Sequence, residues 1–362
     1  MSLIVGEPEP TFASVYFYRG EVEVKIDSTN HRYYLVTPDR KLVLLPGSSS
    51  VVKLIDKSEA LMNWACSQME AAVIAEVPVI ELEDGQRMVR QMPVAMLETI
   101  LAMAKRAHKT TFLAAADLGH AAHAEIEATI KTELNLITLD QWPPRPTDER
   151  VVSCVQAAYN FMAAHSIVWR ATERRVMSRK FLYAGTLDGV AVASSCDNPR
   201  CCPYKYTNEL ALIDWKSTGA IYPTMVWQAT SYAAALMEEF PSPAMKILHR
   251  FVTRIGKEDA KFETMHFSAD TQEQHFKGFL LCLELGRALE ALKVQMTEIE
   301  HARKDYEHEQ KVAARNAAWL IKCPKSEKYK GSRRVVCIDG VMCQACEAKF
   351  NERHKESPIN IG

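Results

Sequence analysis

The eight residues Glu209-Leu-Ala-Leu-Ile-Asp-Trp-Lys216 constrain the fold more than any other segment. An apolar run that closes on polar residues, with a helix opening at Pro223, reads as a buried strand feeding a helix. The strand period of two puts Asp214 and Lys216 on one face and Ala211, Ile213 and Trp215 on the other. Acidic and basic residues two apart usually mark a solvated strand face. The Ala-Leu-Ile run before Asp214 sets this pair apart, because a carboxylate in a buried strand is costly unless a partner or metal compensates it. The preceding strand, Leu182-Tyr-Ala-Gly-Thr-Leu-Asp188-Gly-Val190, ends its apolar run in a lone carboxylate. If these strands pair as an antiparallel hairpin, Asp188 and Asp214 can share a metal.

The surrounding pattern supplies the rest of an α/β core. Ser14 to about Val52 alternates in short runs, which predicts a small meander of strands. Helical spacing follows over Lys57 to Ala75, Met96 to Ala107 and Thr110 to Leu134, with a Glu83-Asp84-Gly85 turn between the first two. Pro143-Pro144-Arg-Pro146 breaks the chain, and Thr147-Asp-Glu opens a helix to about Ala164. Strands are expected over Ser166 to Val176, Lys180 to Ala193 and Glu209 to Trp215, then a helix over Pro223 to Glu239. Two more strand-like runs, Met245 to Ile255 and Lys261 to Phe267, precede a long amphipathic stretch from Thr271 to about Leu320, with a break expected near Gly286. The order helix, three strands, helix, strands is that of a mixed central sheet flanked by helices. The expected divisions are 1–56, an N-terminal β extension; 57–270, the core; 271–320, a helical segment; and 321–362, a Cys-rich metal lobe.

Lys and Arg total 44 against 45 Asp and Glu, so no whole-protein basic field exists and any nucleic-acid contact must come from a local patch. No apolar run is long enough to span a membrane, and the start MSLIVGEPEP lacks the regions of a signal peptide. The expectation is a soluble cytoplasmic protein, bacterial, or in the host cytoplasm if phage-encoded.

Cleaving a phosphodiester requires neutralising an anionic group while water attacks in line, a task met by Mg²⁺ held on carboxylates beside a positioned cation. Asp188, Asp214 and Lys216 offer that set. Gly185-Thr-Leu-Asp188, then Ile213-Asp214-Trp-Lys216-Ser-Thr, then Gln228-x-x-x-Tyr232, resembles the PD-(D/E)XK nucleases of the RecB-like branch, whose fold is restriction-endonuclease-like. This order is shared with CRISPR-associated adaptation exonucleases, mitochondrial genome maintenance exonuclease and phage exonucleases. Leu118-Gly119-His120-Ala-Ala-His123-Ala-Glu-Ile-Glu127 is similar to that branch's first motif, and Ser49 to Ala65 to the openings of phage-type members. The resemblance spans residues 48 to 255.

It implies a DNA exonuclease of recombination, repair or end processing, using Mg²⁺ or Mn²⁺. A structure-specific endonuclease and a non-catalytic zinc-bearing DNA-binding protein on the same fold are the alternatives. Asp188, Asp214, the Trp215 backbone carbonyl and His123 match metal-ligand positions. Lys216 matches the lysine that orients water or stabilises charge, Glu173 an acidic position ahead of the Asp188 strand, and Gln228 and Tyr232 a pair facing the cleft that holds DNA or braces the lysine. A homo-oligomer or a recombination partner is compatible with this reading.

Cys323, Cys337, Cys343 and Cys346 supply four thiolates in one short segment, which reads first as a Cys₄ zinc site. Related nucleases often carry an iron–sulfur cluster, typically with the x2 pair before the x5 gap; the reverse order here favours zinc and leaves the cluster open. Lys322, Lys325, Lys328, Lys330, Arg333 and Arg334 are a plausible phosphate-contacting patch. Cys196, Cys201 and Cys202 form a second group between the two strands that carry the aspartates. Three cysteines do not complete a zinc site, so they read as a loop near the DNA entrance, with metal binding open only through a fourth ligand from elsewhere.

Overall fold

The computed structural model of the chain describes residues 12–55, 58–82 and 85–321, and side chains at all of these except 58–61 and 315–321. The chain falls into two compact units, Met1–Gly286 and Arg287–Gly362. Cys323, Cys337, Cys343, Cys346 and the basic run around them lie outside the described residues.

The first unit opens with an antiparallel meander, β1 (Phe12–Phe17), β2 (Val22–Asp27), β3 (Tyr33–Val36) and β4 (Leu42–Leu45), as the alternation predicts. A short helix α1 (Ser48–Val52) replaces its expected last strand residues. The meander buries Val24, Ile26 and Leu45 against Met177 and Ala184 of the larger sheet. Helix α2 (Ser58–Glu76) and a hairpin of β5 (Val79–Glu81) and β6 (Arg87–Val89) follow. Residues 94–133 form one 40-residue helix α3 (Val94–Glu133) where two helices were expected. Nothing between Ala107 and Thr110 stops a helix: His108 and Lys109 are ordinary helical residues, with no glycine or proline beside them.

Asp148 caps α4 (Glu149–Ala164) by accepting the Arg150 backbone N–H at 2.9 Å. Then come β7 (Val168–Ser178), β8 (Tyr183–Ala193), β9 (Glu209–Lys216), α5 (Pro223–Glu239), β10 (His249–Ile255), β11 (Phe262–Ser268) and α6 (Gln272–Ile321). Five strands form a mixed sheet in the order β11-β10-β9-β8-β7. Only β9 and β10 are parallel, and α5, with Pro223 in its first turn, supplies the crossover a parallel pair needs. Helix α6 runs unbroken past Gly286.

The sheet is buried on both faces. Ala211, Ile213 and Trp215 join Leu118, Ile126 and Phe161 of α3 and α4, while Leu212 joins Val226, Tyr232, Phe279 and Val252 on the other side. Phe161 is fully buried and meets Trp215, Phe251 and Phe262 edge-on at centroid distances of 5.3 to 5.5 Å. Truncating such a side chain to alanine costs about 3–5 kcal/mol. Among the described residues, no helix is long and apolar enough to cross a membrane.

Candidate active site and a buried cysteine cluster

Strands β8 and β9 pair antiparallel from Ala193 with Glu209 to Gly189 with Ile213, and there the ladder stops. One residue beyond, the Asp188 carboxylate accepts the Trp215 backbone N–H at 2.7 Å. The strands therefore part where Asp188, Asp214 and Lys216 stand. Asp214 is 1% exposed, and its carboxylate lies 2.6 Å from the Lys216 ammonium. Burial pushes the Asp214 carboxyl up to about 7 against the pull of Lys216, and Asp188 adds to the rise. Burial alone pulls Lys216 down, but Asp214 and Asp188 outweigh it and hold the amine charged.

Glu173 joins them from β7. Thr172 pairs with Gly189 and Arg174 with Leu187, so Glu173 stands across from Asp188. Its backbone has φ +44°, a left-handed conformation that costs a non-glycine residue about 1–3 kcal/mol and concentrates at functional sites. Burial pushes its carboxyl up to about 8, with Asp188 and Glu127 adding to the rise against Lys131 and Arg175. Three carboxylates from neighbouring strands, Glu173 and Asp214 each in electrostatic reach of Asp188, thus stand near one paired ammonium, although their oxygens do not all lie within 4.8 Å of one another.

Gln228 and Tyr232 form the floor, with Gln228 Nε2 donating to the Tyr232 hydroxyl at 2.7 Å. Burial first, then Asp214 and Asp188, hold the Tyr232 phenol protonated far above its ordinary range, while the Gln228 bond pulls the other way. Tyr232 lies across Gly185, where an added Cβ would come within 2.5 Å of its ring. Gly185 is therefore required by close approach.

Helix α3 brings the first motif to the same place. An added Cβ at Gly119 would come within 2.7 Å of Ser217 Oγ, directly after Lys216, and Glu127 is in electrostatic reach of Glu173. Gly119, His123 and Glu127 recur every four residues on one helix face, so half-buried His123 lies on the face turned to β7 and the end of β9, and His120 is exposed. Even so, His123, Asp188 and Asp214 do not form a set with every ligand atom within 4.8 Å of the others. A cleft of about 560 Å³ lined by Arg170, Arg174 and Lys246 contains none of these residues.

Among the described residues, the tight metal-ligand group is a different one: His165, Cys196, Cys201 and Cys202, all buried and with ligand atoms within 4.8 Å of one another, could hold a metal ion. The cysteines read from sequence as an entrance loop are thus packed into the core with Phe161 and Trp169. His165, which closes the C-terminus of α4, is the residue from elsewhere that could serve as a fourth ligand, and no local motif marks it in the sequence. The Cys201 thiol beside Cys202 holds the latter's thiol well below the usual range against the effect of burial, with the His165 and His266 rings adding to the fall. The Tyr33 hydroxyl lies within hydrogen-bond distance of Thr186 Oγ1 at 2.9 Å, two residues from Asp188.

No protein-family model and no curated protein matches this chain.

Proposed function

We propose that this chain is a divalent-metal-dependent phosphodiester hydrolase acting on DNA as an exonuclease, built on a PD-(D/E)XK core of the RecB-like branch. The observation that carries the reading is the placing of Asp188 and Asp214, with Glu173 in electrostatic reach of Asp188, beside Lys216 at the point where β8 and β9 part. The succession α4, β7, β8, β9, α5, β10 follows the order helix, three strands, helix, strand that the hydrophobic periodicity predicts for a mixed α/β core.

The donor set fits a hard cation. Its carboxylate donors are hard oxygens with no sulfur among them, and burial raises Asp214 and Glu173 by desolvation, with Asp188 adding to both rises against Lys216 at Asp214 and Lys131 and Arg175 at Glu173. Asp188 and Asp214 would hold Mg²⁺ or Mn²⁺, with Glu173, His123 and the Trp215 carbonyl as the further ligands the resemblance suggests. Such an ion would supply Lewis acidity and lower the pKa of a bound water. The remaining work falls to the chain. Lys216 stays an ammonium and offsets the charge that grows on the phosphoryl oxygens during attack. Asp188, tied to the Trp215 N–H, keeps one carboxylate oxygen fixed and the other free to ligate. Gln228 and Tyr232 donate and accept at the floor of the site without adding charge.

The test is incubation of end-labelled linear and covalently closed circular DNA with the full chain, in Mg²⁺ or in chelator. Metal-dependent loss of linear DNA alone is expected. Equal cleavage of the circle would replace exonuclease by endonuclease, and no cleavage of either would remove the hydrolase reading.

A further inference from the structure

We infer that His165, Cys196, Cys201 and Cys202 form a closed, tetrahedral zinc site that ties the end of α4 to the loop joining β8 and β9. This rests on the geometry of the four side chains and is independent of the hydrolase reading. The Cys196 and Cys202 sulfurs are 3.6 Å apart, those of Cys201 and Cys202 3.9 Å. His165 Nε2 lies 3.2 Å from Cys201 Sγ and 3.5 Å from Cys202 Sγ. Zinc bonds of about 2.3 Å to sulfur and about 2.0–2.1 Å to nitrogen place tetrahedral ligands about 3.8 Å apart for two sulfurs and about 3.6 Å for sulfur and nitrogen. The observed separations are close to the edges of that tetrahedron.

The histidine is oriented for the task. Its Nδ1 lies 2.9 Å from the Phe161 carbonyl oxygen, which can only accept, so Nδ1 carries the proton and the Nε2 lone pair faces the three sulfurs. The ring is held there by Phe161 at a centroid distance of 4.1 Å and Phe251 at 5.2 Å. Around the sulfurs stand groups able to donate to thiolates: the Tyr206 hydroxyl is 4.0 Å from Cys202 Sγ, and Tyr206 in turn stacks on His249 at 3.8 Å. His249 bonds both His266 and Glu209 at 2.9 Å.

Other fates of the cysteines fit less well. A disulfide needs sulfurs about 2.05 Å apart, and none of these pairs is near that. An iron–sulfur cluster would hold its four ligands around a cage of several atoms, farther apart than these, which enclose the volume of one ion. Four protein ligands leave no open position, so the ion is structural. Asp188 lies five residues before Ala193 along β8, roughly 16 Å at 3.3 Å per residue, so the cluster anchors the hairpin at the end away from the carboxylates. On binding, each of the three thiols gives its proton to solvent and its sulfur lone pair to zinc.

The experiment uses the full chain with Cys323, Cys337, Cys343 and Cys346 all changed to serine, which removes the other candidate thiolates. Purified under reducing conditions, this protein is expected to retain about one zinc per chain by elemental analysis. After exchange for cobalt it should show thiolate-to-metal charge-transfer bands and intense tetrahedral ligand-field bands. Cys202→Ser and His165→Ala in the same background should lose the ion. His165→Cys should keep it with stronger charge transfer, which decides the matter should the first two fail to fold. A metal-free parent overturns the proposal. So does unchanged zinc in folded Cys202→Ser, or a cobalt spectrum that His165→Cys leaves unaltered.

Discussion

The Asp188 carboxylate accepts the Trp215 backbone N–H at 2.7 Å, one residue past Gly189 on β8 and two past Ile213 on β9, the last paired residues of the two strands. That bond lets two strands separate without stranding a buried donor, since Trp215 is only 2% exposed. Asp188→Asn keeps an acceptor for it and should fold with near-native stability. Asp188→Ala leaves the N–H unpaired and should lose about 1–3 kcal/mol in urea unfolding. Equal midpoints for the two variants would show that the bond does not support the fold.

Tyr232 covers Gly185, so Gly185→Ala drives a methyl into its ring. Overpacking of this kind costs about 1–3 kcal/mol. Thermal unfolding of Gly185→Ala, Tyr232→Ala and the double variant gives the coupling; the double variant should be more stable than the sum of the single losses predicts. Simple additivity would mean that the two residues do not press on each other.

How much of this was legible beforehand follows from where each signal sits. Asp214 and Lys216 could be placed on one face because strand period is local, and Ala-Leu-Ile before Asp214 marked the strand as buried. Pro223 announced α5 for the same kind of reason. The role of Glu173 could not be derived from its neighbours: it depends on the pairing of β7 with β8 and on a positive φ that an Arg-Ala-Thr-Glu-Arg-Arg segment does not advertise. His165 was invisible in another way. It precedes Cys201 by 36 residues, at a helix end with no local motif, and only the packing of α4 on the sheet brings it to the sulfurs. The helices expected over Met96–Ala107 and Thr110–Leu134 are one, because His108 and Lys109 between them include no glycine or proline to end a helix.

The raised carboxyls make stability depend on pH in a defined direction. Glu173 titrates near 8 when folded and near 4.5 otherwise, so between those values the folded chain holds a proton that the unfolded chain has lost. Stability of metal-free protein should therefore fall as pH rises from about 4.5 to about 8. Asp214, shifted from 3.8 to about 7, acts in the same sense over its own interval. Unfolding midpoints measured across this range in chelator should decline for the native chain and decline less steeply for Glu173→Gln. A Glu173→Gln profile that overlays the native one would contradict the assignment.

Mg²⁺ should reverse that loss, because a cation among the three acids binds only the folded chain. At about a hundredfold excess over its dissociation constant, a single site adds about 2.7 kcal/mol. The gain should be larger at pH 8 than at pH 5, where the carboxyls hold protons that compete with the ion. Asp214→Asn should abolish it. Thermal shifts with and without Mg²⁺ measure this, and a shift that persists in Asp214→Asn would place the ion elsewhere.

We propose that Asp188, Asp214 and Lys216, where β8 and β9 part, hydrolyse phosphodiester bonds. Single-turnover cleavage of labelled linear DNA in Mg²⁺ by the native chain, Asp214→Asn and Lys216→Ala tests it most directly, with folding of each variant verified by circular dichroism. The expected result is activity in the native chain and a fall of about 10²–10³-fold for Lys216→Ala, the loss typical of removing one group that stabilises transition-state charge. A folded Lys216→Ala that cuts DNA at the native rate would contradict it.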